Sequence, residues 1–590
     1  MVNGVSQAVD KLFDERRDFI IIGLTGRTGA GCSTVAKILQ TDDFKNLCLP
    51  KPKNCDFNSN EERKYKVIYN YCEKHWCKFK VIEMRSVITS FILEGDYDKF
   101  YGIVTASIDD KYNSKVCNIL NEKVKEEYNK MHNKRIDIKK RVDEDEDNLK
   151  DDDIYDFYYN TLPNFTNLLK NYFDIIDKNI YTKLYQLVGN NIRTSGSAYD
   201  DKFIAKNIWK LSQRTNSLIK ILRKRNKVEK GRVLVVIDSL RNPYESTFFK
   251  DRYSSFYLVS INVDQDSRES RLYNIGYTKD EINTIDKIEY PSKYKGEDKY
   301  KIFSNQNIQQ CTELADIHIY NEQDDIDFNK IKQNDFINLK KKIIKYITLM
   351  MHPGIITPTH IERTMQMAYN AKMSSGCISR QVGAVVTDNK FSIKSVGWNT
   401  VAEGQVPCNL RDINDLVSGD DVEAFSKFEL KNSDMISYCR KKIQNIEDEK
   451  EIKKLKGRVY PYCFKDIYSE MKAKNSEGNI IEKNQVHTRS LHAEENAFLQ
   501  ICKYGGIGLE GGFLFTTASP CELCAKKAYQ LGIEKIYYID PYPGVSEDHI
   551  LECGTRRPKM ILFDGAIGRA YTQLYMQIIP YKDEISYLLD

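Results

Sequence analysis

The chain has 590 residues, 41% of them hydrophobic and 29% charged, with 89 basic against 84 acidic side chains and a net charge of +5. This reads as a soluble, globular chain of more than one domain. The near balance of charge argues against a nucleic-acid or membrane surface, and no stretch reaches the roughly 20 apolar residues needed to cross a bilayer. Met1 to Phe19 lacks the core of a signal peptide. The fifteen cysteines are scattered and odd in number, so they read as reduced thiols, with any tight pair metal-binding rather than disulfide-bonded. A cytoplasmic protein is expected.

In chain order, Phe19 to Leu24 is an apolar run of strand length. The loop Gly26-Arg27-Thr28-Gly29-Ala30-Gly31-Cys32-Ser33-Thr34 follows it, then a helix to Leu39. Strand, glycine loop and helix in that order make a phosphate cradle, in which backbone N–H groups and a helix N-terminus receive the anion. Ser33 stands where a hydroxyl holds Mg²⁺, so the ligand suited to this loop is a nucleoside triphosphate with Mg²⁺. The lysine that should precede Ser33 is Cys32. A charged, tyrosine-rich region runs from about Lys51 to Lys230, and its acidic run Asp143 to Asp156 reads as a solvated loop or helix edge. Arg232 to Asp238, Phe256 to Val263 and Ala315 to Tyr320 are apolar runs of buried parallel-strand type. Asp238 ends its strand at the acidic position that complements a phosphate loop. Arg241, Arg268 and Arg271 are candidate phosphate ligands, with solvated surface charge as the simpler reading. These elements predict an α/β domain over 1–325. Residues 326–357 read as a linker and connecting helix, the helix running from about Asn338 to Met351, with Pro353 and Pro358 marking the entry to a second domain.

The pattern restarts in a domain expected over 358–590. A helix is predicted from His360 to Ser374, strands at Gln381 to Thr387 and Phe391 to Trp398, and a polar insert at about 402–486. A helix from Leu491 to Tyr504 follows, then a strand at Gly512 to Thr517, a helix from Cys521 to Leu531, and strands at Lys535 to Asp540 and Lys559 to Phe563. A last helix closes the chain.

The strongest chemical signal lies here. His492-Ala493-Glu494 is followed by Pro520-Cys521-Glu522-Leu523-Cys524. One imidazole and two thiolates make a three-ligand zinc site whose fourth position stays open for water. Cys521 and Cys524 sit at i and i+3 of a helix start, facing one way, where the helix dipole favours thiolate. Glu494, two residues beyond His492, is placed to reach the water rather than the metal and to shuttle its proton.

With these residues in view, His360 to about Asp564 resembles the cytidine and deoxycytidylate deaminase superfamily, nearest the deoxycytidylate type. Ser375-Gly376-Cys377-Ile378-Ser379-Arg380-Gln381-Val382-Gly383-Ala384-Val385-Val386 and Gly397-Trp398-Asn399 support the likeness beside the two metal motifs. The resemblance implies a three-layer α/β/α domain with a five-stranded sheet and Zn²⁺ between two helix N-termini. It implies ligand roles for His492, Cys521 and Cys524 and the proton shuttle for Glu494. It also implies substrate contacts from Asn399, toward the sugar, and from the backbone of Ala493, toward the base. A nucleotide substrate and a homo-oligomer follow from it. Cys377, Cys408 and His487 are candidates for a second, structural zinc, with unrelated thiols and a surface histidine as the favoured alternative.

The first half resembles the P-loop nucleotide-kinase-like fold, with weaker support from Gly189-Asn190-Asn191-Ile192-Arg193 and Ala315-Asp316-Ile317-His318-Ile319-Tyr320. A P-loop half without its lysine, fused ahead of such a deaminase, is similar to the bacterial anti-phage deoxycytidine nucleotide deaminases, which implies conversion of dCTP, and of dCMP, to the deoxyuridine form. A housekeeping deoxycytidylate deaminase and a nucleotide sensor are the rival readings. Without the lysine, phosphoryl transfer is not expected and a regulatory nucleotide site is, unless Arg27 of the same loop replaces the missing cation.

Overall fold

The computed structural model describes residues 2–52, 57–108, 110–144, 152–229, 231–291, 296–322, 336–444, 455–474, 487–505, 508–540 and 546–589. The apolar runs become strands: β1 (Phe19–Thr25), β2 (Lys80–Glu83), β3 (Val233–Asp238), β4 (Phe256–Asn262), β5 (Ile317–Tyr320), β6 (Gly383–Thr387), β7 (Ile393–Trp398), β8 (Thr400–Val401), β9 (Ser490–Leu491), β10 (Phe513–Ala518), β11 (Lys535–Asp540), β12 (Lys559–Leu562) and β13 (Gly565–Ala566). The chain divides into two compact units, Met1–Pro358 with Asp564–Asp590, and Thr359–Phe563.

The first unit is built on a sheet in the order β13-β5-β4-β1-β3-β2. β1 runs parallel to β3 and β4, β3 to β2 and β4 to β5, while β13 is antiparallel to β5. Strand β1 is apolar on both faces because both faces are covered. Ile21, Ile237 and Leu258 join one core, Ile20, Ile22 and Val236 the other. The region from Lys51 to Lys230 supplies mainly helices to the first of these cores, through residues such as Phe100, Phe165 and Leu184. It also holds β2, whose four residues Lys-Val-Ile-Glu give too little pattern to find by periodicity. Of the acidic run, residues 145–151 lie outside the described residues, and Asp152–Asp156 is helical. Arg193, from one of the kinase-like segments, is buried in an ion pair with buried Glu245 (Nε–Oε1 2.8 Å).

Two boundaries differ from those expected. The helix Ile337–Met351 is not a connector: Leu339, Ile343, Ile344 and Ile347 are core residues of the first unit. The chain also returns to that unit after Phe563. Gly565 and Ala566 pair with His318 and Ile317 of β5, and Ala570 and Leu574 of the helix Gly568–Tyr575 enter the same core. The second unit therefore ends at Phe563 rather than at 590, and is inserted into the first fold. Residues 323–335, which include the start of the expected linker, lie outside the described residues.

The second unit carries a five-stranded sheet in the order β12-β11-β10-β6-β7. β10, β11 and β12 are parallel, and β6 is antiparallel to both β10 and β7. The period of two splits the sheet's side chains between two helical layers. Ala384, Val386 and Leu514 meet Ala493, Ala497 and Ala525 from the helices Ala493–Tyr504 and Glu522–Gln530. On the opposite face a Cβ at Gly383 would lie 2.0 Å from Ala368 O, so the helix His360–Lys372 rests directly on β6. The insert has its own small core, including Ile413, Leu416, Met435 and Tyr462; its residues 445–454 and 475–486 lie outside the described residues. Among the described residues no helix is long and apolar enough to cross a membrane.

If the helix Gly568–Tyr575 belongs to the first core, Leu574→Ala, at a fully buried position, costs about 2–5 kcal/mol of stability. Urea unfolding of the full chain measures it. A loss below about 0.5 kcal/mol, the level of an ordinary surface change, would remove the helix from the core.

Candidate active site

The metal motif is assembled by two helix starts. His492 is the N-cap of the helix Ala493–Tyr504, and Cys521 is the N-cap of Glu522–Gln530. β9, just before His492, pairs with β8, and Lys527 forms an ion pair with Glu495 across the two helices. His492 Nδ1 lies 3.3 Å from Cys521 Sγ and 3.4 Å from Cys524 Sγ. The three donor atoms fall within 4.8 Å of one another, the only such group of three among the described residues. An imidazole with two sulfurs is a donor set that suits zinc. Hydrogen bonds from Cys524, and then from His492, hold the Cys521 thiol down at about 4, while Cys524 keeps the shared proton and is held high. Anionic sulfur, the form a metal needs, is thus available.

Glu494 is buried beside this group, and burial pushes its carboxyl up from the ordinary range. Thr516 Oγ1 lies 3.3 Å from Glu494 Oε1 and 2.7 Å from Ala518 O, which it serves as donor. Ala493 is fully buried in the same first turn. Asn399 uses its amide locally: Oδ1 accepts from Val382 N–H at 2.7 Å, and Nδ2 donates to Arg380 O at 2.7 Å. One N–H and one lone pair of that amide remain for another partner. Arg380 forms an ion pair with buried Asp540 at the end of β11. Sequence reasoning missed Thr516 and the Arg380–Asp540 pair. A threonine inside an apolar strand and an acid ending one were the available signals.

The close fit of helix to strand is set at Gly397. A Cβ there would lie 2.4 Å from both Ala493 O and Ala497 N. Cys377, Cys408 and His487 do not gather. The Cys408 thiol accepts from Cys463 within the insert and is lowered to about 6 chiefly by that bond. The His487 ring lies edge-on to Tyr468, with centroids 4.7 Å apart. Among the described residues the three do not form a group whose donor atoms lie within 4.8 Å of one another.

The glycine loop lies in the first unit, between β1 and the helix Cys32–Leu39. Ser33 Oγ donates to Asp238 Oδ2 at 2.8 Å. Gly31 has φ +111, and a Cβ there would lie 2.5 Å from Asn321 Nδ2. The positions Gly26, Gly29, Ala30, Cys32 and Thr34 complete the turn into the helix. Arg27 faces away from the role of replacement cation: it bonds Gln265 Oε1 (2.6 Å) and Asp286 (2.7 Å) and stacks over Tyr290. Of the three other arginines, Arg268 is fully buried, not surface charge, and pairs with Asp286. Arg271 donates to Ala30 O and Asn321 O. Arg241 reaches the loop at Thr28 Oγ1, 3.1 Å away. Burial, and then Asp238, push the Cys32 thiol up to about 12, so it is neutral.

Comparison with known proteins matches residues 358–540 to the cytidine and deoxycytidylate deaminase zinc-binding region. The deoxycytidylate deaminase of Enterobacteria phage T2 is 28% identical over 178 residues, 30% of this chain and 78% of that protein. Its phage T4 counterpart is 27% identical over 183 residues, 30% of this chain and 76% of that protein. ComE operon protein 2 of Bacillus subtilis is 41% identical over 54 residues, 9% of this chain and 28% of that protein. Among solved structures, the apo dCMP deaminase of cyanophage S-TIM5 aligns at 20% identity and TM-score 0.20, over 35% of this chain and all of that one. The second unit thus carries a zinc-binding domain of the cytidine and deoxycytidylate deaminase type.

Gly397→Ala tests what places the donors. The substituted chain should bind well under half the zinc of the unaltered chain, which should hold about one per chain; metal analysis of the purified proteins reads both. Full zinc in the folded variant would show that the helix can shift without cost to the site.

Proposed function

We propose that the chain is a zinc-dependent deaminase of deoxycytidine nucleotides, converting dCTP to dUTP and dCMP to dUMP. The observation that carries this is the convergence of His492, Cys521 and Cys524 beside buried Glu494. The likeness to deoxycytidylate deaminases supports the substrate class. Zinc held by His492, Cys521 and Cys524 would act as a Lewis acid that makes water nucleophilic near neutral pH.

The protein's own part is proton transfer and positioning. Water adds at C4 of the cytosine ring, and Glu494 takes its proton and passes it to N3. A second transfer, to the exocyclic nitrogen, lets the C4–N bond break with loss of ammonia, leaving the uracil carbonyl. Burial suits Glu494 to this work, because a carboxyl raised toward neutrality both accepts and returns a proton. Thr516 orients it. Ala493 presents backbone to the base, and the spare N–H of Asn399 serves the sugar. Depletion of dCTP as antiviral defence is the biological role we infer, supported by the union of this domain with a glycine-loop unit in one chain.

Glu494→Ala should keep zinc and fold while turnover falls by about 10²–10⁴-fold. Ammonia release from dCTP, dCMP, deoxycytidine and CTP, with zinc content measured alongside, decides both role and substrate. Near-normal turnover with zinc retained would overturn the assignment.

We read the first unit as a P-loop nucleotide-kinase-like fold that binds a nucleoside triphosphate with Mg²⁺ and regulates rather than phosphorylates. Its support is the strand order of the sheet, the loop Gly26–Thr34 and the Ser33–Asp238 bond. Cys32 is a neutral thiol where a lysine would carry charge to the phosphates. Incubation with labelled ATP and nucleoside monophosphates should yield no labelled product. Robust transfer that Asp238→Ala abolishes would refute the regulatory reading.

A further inference from the structure

The glycine loop already holds an anion from its own chain. Glu289, the last residue of the helix Lys279–Glu289, is fully buried. Its Oε1 accepts from the Thr28 backbone N–H at 2.9 Å, from Thr28 Oγ at 2.5 Å and from Arg241 at 2.8 Å. Its Oε2 is buried with no hydrogen-bond partner among the described residues. A carboxylate oxygen left so is costly, and an ionised one more so. Arg241 in turn binds Thr28 Oγ1, and Gln306 at 3.2 Å, and its charge is felt by Cys32 and Asp238. It enters from the segment after β3, not from the loop itself. Arg27, the cation nearest in sequence, is occupied with Gln265 and Asp286.

We propose that Arg241 is the cation that replaces the missing loop lysine, and that Glu289 is an internal carboxylate which competes with a nucleotide's phosphates for Arg241 and the Thr28 N–H. The inference rests on the reading of the loop as a nucleotide site and adds to it the residue that grips the phosphate and the residue that opposes binding. The chemistry favours exchange. A phosphate carries more charge and more acceptor oxygens than a carboxylate, and guanidinium binds it in two-point geometry. Glu289 neutralises Arg241 and thereby sets an affinity threshold: only a ligand presenting several phosphate oxygens outcompetes a carboxylate held by three bonds. Weak affinity of this kind suits a site that responds to the size of a nucleotide pool.

The test is equilibrium binding of Mg·ATP and of inorganic tripolyphosphate to the full chain, by titration calorimetry. Tripolyphosphate has no base, so it reads the phosphate grip alone. Glu289→Gln keeps the side chain's shape and an acceptor for Thr28 but removes the charge, and should tighten both ligands about tenfold. Arg241→Met should weaken both at least about tenfold, and Arg241→Lys, which keeps the charge but loses the two-point geometry, should fall between. Circular dichroism confirms that each variant is folded; if Glu289→Gln is not, the two Arg241 variants carry the test. Binding to the unaltered chain that stays within about twofold in every folded variant would overturn the proposal while leaving the loop a nucleotide site. No binding of either ligand to the unaltered chain or to any folded variant would overturn both.

Discussion

The placement of His492 and Glu494 depends on how closely one helix lies on one strand. Backbone atoms of Ala493 and Ala497 stand where a Cβ at residue 397 would be, so helix and β7 meet almost without side chains between them. Ser395 Oγ donates to Ala497 O at 2.8 Å, and Asn496 Nδ2 donates to Trp398 O at 3.0 Å. These bonds set both the rotation and the slide of the helix on the strand. His492 and Glu494 flank Ala493, so their positions follow from that contact. Cys521 and Cys524 come from the far side of β10, and the Lys527–Glu495 pair ties the second helix start to the first. The site is thus a property of rigid elements rather than of a loop, as expected where reacting groups need sub-ångström placement.

This explains which parts were legible in the sequence. His492-Ala493-Glu494 and Cys521-Glu522-Leu523-Cys524 are local patterns at two helix starts, readable without knowing the contacts that bring them together. The strands of the second unit are legible as short apolar runs, since β6 and β10 are buried at every position between two helical layers. The insertion of one unit into the other was not. Whether Gly565 and Ala566 form a strand is decided by His318 and Ile317, far back in the chain, and two residues carry no period. Burial of Arg268 was hidden likewise, because arginine is ordinarily exposed and its partner Asp286 belongs to a neighbouring helix. For Cys377, Cys408 and His487, nearness to the metal motifs in sequence does not fix nearness in space, and Cys408 bonds instead to Cys463.

In the first unit the glycine loop Gly26–Thr34 leads into the helix Cys32–Leu39, with a thiol rather than a charged side chain at the helix start. Its amide hydrogens and the start of the helix Cys32–Leu39 form a positive site whether or not a lysine is present. Such a site attracts an anion. Here Thr28 N–H has one, the Glu289 carboxylate, and Arg241 balances it. The neutral Cys32 thiol fits this arrangement.

Both sites therefore use one physical device, the exposed N–H groups at a helix start, toward different ends. At Cys521 the helix start and the hydrogen bonds around it favour thiolate, the form that suits a metal. At Cys32, with Asp238 and Glu289 close by, burial and negative charge overcome the same dipole and keep the sulfur protonated. Both cysteines stand at the start of a helix, yet they are shifted in opposite directions, because hydrogen bonds from Cys524 and His492 dominate at Cys521 while desolvation, and then Asp238, outweigh Arg241 at Cys32. The helix start supplies a field; the side chains around it decide whether that field makes a metal ligand or an anion cradle.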